Sequence, residues 1–320
     1  MDDIDGKIHE HGDKDTPEVK APSETINGIP TVPAKSIIYR TGNPSSLYFT
    51  DYSMNIYLGC SHGCIYCDSR SNCFRIMDFD TVKAKENALQ IVRDDLRRKV
   101  KRGVVASGAM SDPYNPFEHE LKLTRNCLEL INAFGFGASL VTKSALISRD
   151  TDVLRDIKTH SPTIVKFSIT TSDDELCRML EPRASVTSER FEALRTLSEN
   201  GIYCGVYLNP ILPYITDTQE SILEILRMAK DSGAKFVQTH MSMTLRPGSR
   251  EHYYNHLDKM FPGAKEKYMK RYGLRKHCQS PNSRRLWRVL AAESERLGLL
   301  YDMNAITSHY REGYGYKQLQ

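Results

Sequence analysis

Three cysteines in one short run are the residues whose types and spacing most directly suggest chemistry. Cys60, Cys64 and Cys67 are separated by three residues and then by two, and no fourth cysteine follows at a comparable spacing. Soft thiolate ligands match the irons of iron–sulfur clusters. Three ligands suit a four-iron cluster in which one iron has no protein ligand and can take a substrate or a cofactor. The run therefore predicts a reactive iron–sulfur centre.

Other interpretations of the run remain open. A structural zinc site normally closes with four ligands, and His62 would have to supply the fourth from inside the loop. Cys64 and Cys67 alone could form a redox dithiol, which would leave Cys60 unused. Disulfides are disfavoured because the chain begins without an apolar signal segment, so we expect a reducing, cytoplasmic environment.

Composition sets the size of the core and the distribution of charge. The chain has 320 residues, 40% of them hydrophobic, which is enough for one large core or a core with a subdomain. No run approaches the about 18 apolar residues of a transmembrane helix, so no membrane partner is expected. Residues 1–20 are acidic, whereas residues 261–290 hold nine Lys and Arg against the single Glu266. The basic segment is a candidate contact surface for an anion.

The pattern of apolar residues predicts an α/β fold. Residues 1–45 read as a polar N-terminal arm, disordered in part. Further on, short apolar runs alternate with amphipathic segments that often end at glycine. Six strands are predicted at residues 53–58, 104–107, 138–142, 163–169, 203–208 and 235–240. Helices are predicted between them at residues 81–102, 117–134, 152–159, 187–200 and 218–231.

Six strand–helix units in alternation predict a parallel sheet with right-handed crossovers. We expect a partial (β/α)6 barrel over residues 46–250, with a doubly wound sheet as the competing architecture. Residues 251–320 form a basic, mainly helical C-terminal extension. In both architectures ligands bind at the carboxyl ends of the strands, and the cysteine run follows the first strand directly.

Polar side chains follow the other strands at this same edge. Asp112, after the second strand, can hydrogen-bond an ammonium or a hydroxyl group. Lys143 follows the third strand and suits a carboxylate, and Ser168 ends the fourth. A structural turn and a surface lysine are the alternatives for these positions. Glu181 and Arg183 flank a proline, and they suggest either an ion pair or a substrate contact.

These residues resemble the radical S-adenosylmethionine superfamily. The cysteine run matches its signature, including an aromatic residue, Tyr66, just before the last cysteine. Within that superfamily the chain is similar to the branch related to spore photoproduct lyase, a DNA-repair enzyme. The resemblance covers about residues 48–250, and it rests on the segments 55–60, 111–116, 181–182 and 210–213.

The resemblance implies a set of cofactors and a reaction. Cys60, Cys64 and Cys67 would hold a 4Fe–4S cluster, and S-adenosyl-L-methionine (SAM) would chelate the open iron. Reductive cleavage of SAM would then give a 5′-deoxyadenosyl radical that abstracts hydrogen from a substrate, in a lyase-like reaction. An electron donor such as a ferredoxin or a flavodoxin is the implied partner.

The resemblance also implies contacts to SAM. Tyr66 would lie near the adenine. The methionyl amino group would contact the end of the second strand, and the carboxylate and ribose would contact the third and fourth strands. The candidate residues at these strands are Ser107, Gly108, Ala109, Asp112, Lys143 and Ser168.

Two features depart from the lyase. Residues 68–73 are polar and charged, which is unexpected for the lyase itself. The lyase also returns a hydrogen atom to its substrate from a cysteine, and the candidates here are Cys204, Cys278 and Cys73. For every cysteine outside the run, a small buried hydrophobe is the alternative role. We therefore expect a substrate other than the DNA photoproduct.

The basic segment 261–290 allows two interpretations. Its cations are interleaved with Tyr268, Tyr272 and Trp287, a composition that permits nucleic-acid binding. The alternative is a solvated helical cap, with Trp287 in the core. The leading function is a radical SAM enzyme, with a nucleic acid as one candidate substrate. The competing functions are radical SAM modification of a protein or a small metabolite, and a non-catalytic iron–sulfur or zinc protein that binds nucleic acid.

Overall fold

The computed structural model describes residues 25–41, 50–99 and 101–315. Its strands are β1 (Thr25–Ile26), β2 (Ile29–Val32), β3 (Ile38–Arg40), β4 (Tyr52–Met54), β5 (Tyr57–Leu58), β6 (Lys83–Lys85), β7 (Val104–Ser107), β8 (Gly137–Thr142), β9 (Thr163–Ser168), β10 (Tyr203–Tyr207), β11 (Val237–Gln238), β12 (Ser242–Thr244) and β13 (His277–Gln279).

The α-helices that accompany these strands are α1 (Ala88–Arg98), α2 (Glu118–Leu121), α3 (Leu123–Ala133), α4 (Thr151–Lys158), α5 (Asp174–Leu180), α6 (Thr187–Glu199), α7 (Gln219–Asp231), α8 (Ser249–Met260), α9 (Ala264–Tyr272), α10 (Ser283–Leu297) and α11 (Met303–Arg311).

The largest sheet has the strand order β11-β10-β9-β8-β7-β4-β3. Six of its strands are parallel, and β3 adds to β4 in the antiparallel sense. The parallel strands follow one another in chain order without a reversal. Because a doubly wound sheet reverses its order at the switch point, this topology confirms the partial barrel and excludes the alternative.

The main hydrophobic core lies between this sheet and the helices that cross over it. On α7 the buried residues Ile222, Ile225, Leu226 and Ala229 recur every three or four positions, so one face of the helix packs inward. Every residue of β9 is buried, as expected for a central parallel strand that is covered on both faces. This strand therefore presents only its end and the loop that follows it to a ligand.

The prediction for the first strand and helix is wrong in part. Residues 53–58 do not form one strand, because β4 belongs to the large sheet and β5 belongs to a second sheet with the order β1-β2-β6-β5. The predicted helix over residues 81–102 begins only at Ala88. Its first residues form β6, which pairs with both β2 and β5 and buries Ala84 completely. Strand pairing here overrides a helical spacing of apolar residues.

The helix predicted at residues 117–134 is also interrupted. Lys122 has φ of +49°, so the chain forms two helices, α2 and α3, instead of one. The sequence pattern did not predict α5, which has only seven residues and buries only Cys177 and Leu180. Its N-cap is Asp173, whose carboxylate accepts hydrogen bonds from Glu175 N and Leu176 N at 2.7 and 3.1 Å.

Part of the segment predicted as a polar arm is attached to the core. Residues 25–41 include β1, β2 and β3, and Ile29 and Val32 are buried. The carboxylate of Asp95 on α1 accepts hydrogen bonds from Ile37 N and Ile38 N at 2.7 and 2.9 Å, which fixes the start of β3. Residues 1–24 and 42–45 of the predicted arm lie outside the described residues.

The C-terminal region is mainly helical and packs at both ends of the barrel. Helix α8 crosses the expected boundary at residue 250, and helix α10 packs against α7. At the opposite end of the sheet, Ile306 and Tyr310 of α11 pack against Val104, Ile164 and Phe236. Within the described part of the chain, no helix is both long and apolar enough to cross a membrane.

Candidate active site

The cysteine loop follows β5 and is held on one side by close backbone contacts. Cys60 N donates to Phe79 O at 2.9 Å, and Ser111 Oγ donates to the carbonyl of Gly59. Gly59 has φ of +77°, and a Cβ at this position would lie 2.5 Å from Thr81 O. Only glycine fits, because both the backbone conformation and the close approach exclude a side chain.

The end of α5 holds the other side of the loop. Ile65 N donates to Leu180 O at 3.0 Å, and Arg183 N donates to His62 O at 3.0 Å. The Arg183 guanidinium donates to Ser61 O and lies 3.5 Å from Asp80. Arg183 therefore supports the loop, and the predicted ion pair between Glu181 and Arg183 is not formed.

The three cysteines are free thiols in a partly dry environment. Cys64 is buried, and Cys60 and Cys67 are half-buried. Burial raises the pKa of all three, that of Cys60 to about 11. The backbone N–H groups of His62 and Asp112 act in the opposite direction on the pKa of Cys60. Metal binding must therefore displace the thiol protons, as thiolate ligation generally does.

The donor set fits an iron–sulfur cluster. Among the described residues, no three His, Cys, Asp or Glu side chains converge on one point as the ligands of a single ion do. The cysteines are nevertheless close enough for the charge of Cys67 to influence the pKa values of Cys60 and Cys64. Three thiolates spread over one loop suit a cluster in which each of three irons takes one of them.

Tyr66 has its hydroxyl group committed to the protein. It donates to Glu181 Oε1 and lies 3.0 Å from Thr170 Oγ1, and the residue is buried. Its ring lies 5.7 Å from the Lys143 ammonium. The ring, and not the hydroxyl, is the part of Tyr66 that remains for a neighbouring planar group.

A buried ion pair lies behind Tyr66. Glu181 pairs with Arg190 of α6, and the two side chains are 1% and 0% exposed. Arg190 also donates to Ser168 O and Ser185 O, both at 2.7 Å. Burial raises the pKa of Glu181, but Arg190 and Lys143 lower it by more, so the carboxyl group stays ionised. Sequence analysis missed Arg190, because nothing local distinguishes it from a solvated arginine on a helix.

Lys143 is half-buried at the end of β8. Burial lowers its pKa, but Cys64 and Glu181 raise it by more, and the ammonium stays charged. No carboxylate of the described residues forms an ion pair with it. A partly desolvated cation without an acidic partner is well suited to bind an anionic group of a ligand.

Asp112 lies where the sequence predicts it, but its carboxylate is occupied. Oδ1 accepts from Tyr114 N at 2.9 Å and from Thr142 Oγ1 at 2.7 Å. Oδ2 accepts from Lys143 N at 2.7 Å and lies 3.5 Å from His62 Nδ1. These contacts give the carboxylate a structural role, whereas a contact to the cofactor stays a prediction.

The remaining predicted SAM contacts lie at the ends of β7 and β9. Ser107 is buried and Ala109 is exposed. Gly108 has φ of +104°, and a Cβ there would lie 2.0 Å from Val141 O. The Ser168 hydroxyl donates to Asn209 O at 3.1 Å, so it is not free for a ribose without a rearrangement. The close approach of Val141 O therefore requires glycine at position 108.

The candidate hydrogen donors lie in three different places. Cys204 is fully buried in the main core, with its sulfur 3.6 Å from Leu194 O. Cys278 is buried in a second hydrophobic cluster that also contains Cys64 and Tyr66. Cys73 is exposed, in a short 3-10 helix after the cysteine loop. The structure thus brings Cys278, but not Cys204, into the cluster that holds the loop.

The polar segment after the loop connects it to the C-terminal region. Asp68 pairs with Arg246, and Ser71 Oγ lies 3.2 Å from Ser249 Oγ. Asn72 N donates to Pro247 O at 3.0 Å. The unexpected polarity of residues 68–73 therefore has a structural cause, since this segment anchors the start of α8.

Comparisons with known proteins agree with this arrangement. A family model described as the Radical SAM superfamily matches residues 54–229. The chain is 30% identical over 261 residues to an uncharacterized protein of Mycobacterium tuberculosis, covering 79% of this chain and 76% of that protein. It is 33% identical over 185 residues to an uncharacterized protein of Methanocaldococcus jannaschii, covering 57% of this chain and 68% of that protein.

Solved structures with a similar fold include spore photoproduct lyases. A cysteine-to-serine variant of that enzyme has a TM-score of 0.65 and 15% identity, covering 89% of this chain and 86% of that one. The lyase complexed with dinucleoside spore photoproduct has a TM-score of 0.62 and 16% identity, covering 83% of this chain and 78% of that one. At such identities the likeness concerns the fold.

Proposed function

This chain belongs to the radical SAM superfamily, and we propose that it uses SAM to abstract hydrogen from a nucleic-acid substrate in a lyase-like reaction. Its cofactors are a 4Fe–4S cluster and SAM. When bound, these two groups would supply the reducing electron and the radical chemistry needed for hydrogen abstraction. The observation that carries the proposal is the loop with three free thiols, which lies near Lys143 at the mouth of the barrel, a cation that forms no ion pair with a carboxylate of the described residues.

The chain's own residues would bind and orient these groups. Cys60, Cys64 and Cys67 would hold the cluster. Lys143 would bind the carboxylate of SAM, because its charge lacks an acidic partner among the described residues. The Tyr66 ring, fixed through its hydroxyl by Glu181, would pack near the adenine. The backbone around Gly108, just after β7, would approach the amino group.

The reaction is tested by its products. Protein reconstituted with iron and sulfide without oxygen, then reduced with SAM present, should release 5′-deoxyadenosine and methionine. Replacing Cys60, Cys64 and Cys67 together with Ala should abolish both cluster loading and product. Cys127→Ala, which removes a buried cysteine of the main core that is not a candidate hydrogen donor, should leave both unchanged. A fully loaded wild-type protein that releases no product would refute the proposal.

The surface of the C-terminal region supports a nucleic-acid substrate. Within segment 261–290 most cations are exposed, and of these cations Lys265 alone forms an ion pair with a carboxylate of the described residues, that of Asp258. Uncompensated cations on one surface attract phosphates and release their counterions. The exposed cations are Lys267, Lys270, Arg271, Arg275, Lys276, Arg284, Arg285 and Arg288.

The aromatic residues of this region do not act as stacking platforms. Tyr268 is 0% exposed and Tyr272 is 6% exposed, and both lie in the second hydrophobic cluster. Trp287 packs against the main core, as one interpretation of the sequence predicted. The surface therefore favours contacts to the phosphate backbone over recognition of individual bases.

Salt dependence tests this surface. The affinity for a DNA or RNA oligonucleotide should fall as the salt concentration rises, and neutralising Lys270, Arg271, Arg275 and Lys276 should make that dependence shallower. Neutralising Arg93 and Arg97, exposed cations on α1, is the matched control and should change little. An affinity that is independent of salt would reject a phosphate contact and favour a protein or small-metabolite substrate.

The reaction also needs an electron from outside the chain. We propose a low-potential carrier such as a ferredoxin or a flavodoxin as its source. All eight cysteines are free thiols, which fits the reducing cytoplasm expected from the sequence. Omitting the carrier and chemical reductants from the product assay should stop the release of 5′-deoxyadenosine.

A further inference from the structure

We infer that Asp112 is a positioning residue, whose carboxylate joins the cysteine loop to the end of β8 and so fixes Lys143 relative to the cysteines. The catalytic consequence of this link rests on the proposed function, whereas the link itself is a property of the chain. Asp112 is buried and follows β7, so it stands between the two segments that it connects.

On the β8 side, the carboxylate fixes the backbone from which the Lys143 side chain extends. Oδ2 accepts from Lys143 N at 2.7 Å, and Oδ1 accepts from Thr142 Oγ1 at 2.7 Å. The Thr142 hydroxyl in turn accepts from Ser144 N at 3.0 Å. Three consecutive residues therefore depend on one carboxylate for their hydrogen bonds.

On the loop side, Asp112 faces His62, which lies between Cys60 and Cys64 in the chain. Oδ2 of Asp112 lies 3.5 Å from His62 Nδ1, and both side chains are buried. One side chain thus lies against both the end of β8 and a residue between two of the cysteines.

A carboxylate is needed here because each of the three groups that hydrogen-bond to it is a donor. Tyr114 N, Thr142 Oγ1 and Lys143 N all donate to it, and an amide side chain would turn an NH2 group towards at least one of them. Asp112→Asn therefore keeps the volume of the side chain but breaks part of the link. The chain also offers a matched control for the loss of such a carboxylate.

The control is Asp217, which lies just before α7 and, like Asp112, is a buried aspartate whose carboxylate accepts hydrogen bonds from the protein. Its carboxylate accepts from Tyr214 N at 2.6 Å and from Ser280 Oγ at 2.7 Å. Asp217→Asn should loosen the loop before α7 and the start of α10. It should not loosen the cysteine loop or the end of β8, because Asp217 contacts neither.

The first test is amide hydrogen exchange in cluster-free protein. Asp112→Asn should accelerate exchange by about tenfold in two separate segments, residues 60–64 and residues 142–144. Asp217→Asn should accelerate neither. If residues 142–144 exchange faster while residues 60–64 are unchanged, Asp112 supports only its own turn and the inference is overturned.

The second test measures SAM binding to reconstituted protein through the change in the electron paramagnetic resonance spectrum of the reduced cluster. Asp112→Asn should load iron like the wild type but bind SAM at least about tenfold more weakly, whereas Asp217→Asn stays within about twofold. Equal SAM affinity of the two variants overturns the inference. A wild-type protein without 5′-deoxyadenosine release would instead refute the proposed function and leave the exchange result standing.

Thr142→Val keeps the inference testable if Asp112→Asn does not fold. This variant keeps the carboxylate and its charge, but it removes one donor to Oδ1 and also the acceptor of Ser144 N. We expect faster exchange in the same two segments, by about threefold. If the exchange rate of residues 60–64 does not change in this variant, the inference is overturned.

Discussion

The guanidinium of Arg190 and the carboxylate of Glu181 form an ion pair that is almost completely excluded from water. The same carboxylate accepts the hydroxyl of Tyr66, the residue before the last cysteine of the loop. A helix of the barrel wall is thereby connected to the cysteine loop through two buried side chains. The ion pair therefore fixes the position of Tyr66, and through Tyr66 the end of the cysteine loop.

Replacing Arg190 by Met should lower the free energy of unfolding by about 3–5 kcal/mol, because it leaves the Glu181 carboxylate buried without its partner. Chemical denaturation of the cluster-free protein measures this change. The double variant Glu181→Gln with Arg190→Met removes both charges and should recover most of the loss. A double variant as unstable as the single one would mean that packing, and not charge, explains the effect.

The same pair predicts a dependence of stability on pH. The pKa of Glu181 is lowered in the folded protein, since Arg190 and Lys143 outweigh the effect of burial. Its contribution is therefore fully present above the unfolded-state pKa of about 4.3 and is lost as the pH falls through the folded-state value. Between about pH 6 and pH 3.5, wild-type protein should lose more stability than the double variant. Parallel losses would contradict this assignment.

Lys143→Met should weaken SAM binding by about 10- to 100-fold, the value of one charge-assisted hydrogen bond, while iron loading stays unchanged. Equilibrium dialysis with labelled SAM measures the affinity. Lys235→Met is the control, because Lys235 is exposed just before β11, at the opposite end of the sheet. Equal affinities of the two variants would show that Lys143 does not bind the cofactor.

Gly59→Ala should prevent the cysteine loop from closing and should lower iron loading to less than about half, because a Cβ would meet Thr81 O and Phe79 O at 2.5 and 2.7 Å. Gly263→Ala has a similar φ of +78° but no atom within 4 Å of the added Cβ. It therefore reports the backbone strain alone, about 1–2 kcal/mol. Iron content per chain is measured for both variants. Similar iron loading of Gly59→Ala and Gly263→Ala would refute the steric argument.

The parallel strands could be predicted from the sequence because each strand is a short apolar run bounded by a glycine stop or a polar turn. Their order could not, since alternating strands and helices also fit a doubly wound sheet. The run over β9, for example, is buried along its whole length. The cysteine loop could be predicted because its spacing is local. Residues 83–85 misled the prediction, since Lys-Ala-Lys continues a helical spacing and only pairing with β2 and β5 makes it a strand.

The support of the site could not be predicted in the same way. Arg190 lies nine residues after Glu181, and their contact depends on how α5 and α6 fold back against the sheet. The sequence placed Asp112 at the right edge, but the direction of its carboxylate is determined by Thr142 and Lys143, thirty residues further along the chain. Such long-range contacts leave no periodic pattern in the sequence.

The anchor between Asp68 and Arg246 has a consequence for engineering. Residues 68–74 belong by sequence to the barrel, but Asp68, Ser71 and Asn72 contact Arg246, Ser249 and Pro247 at the start of the C-terminal region. In a chimera that takes only its C-terminal helices from a relative, residues 68–74 of this chain would face the relative's residues at the start of those helices. The two sides of the contact would then not match. Grafting a new C-terminal region should therefore require residues 68–74 to be transferred with it, as one unit split between two places in the chain.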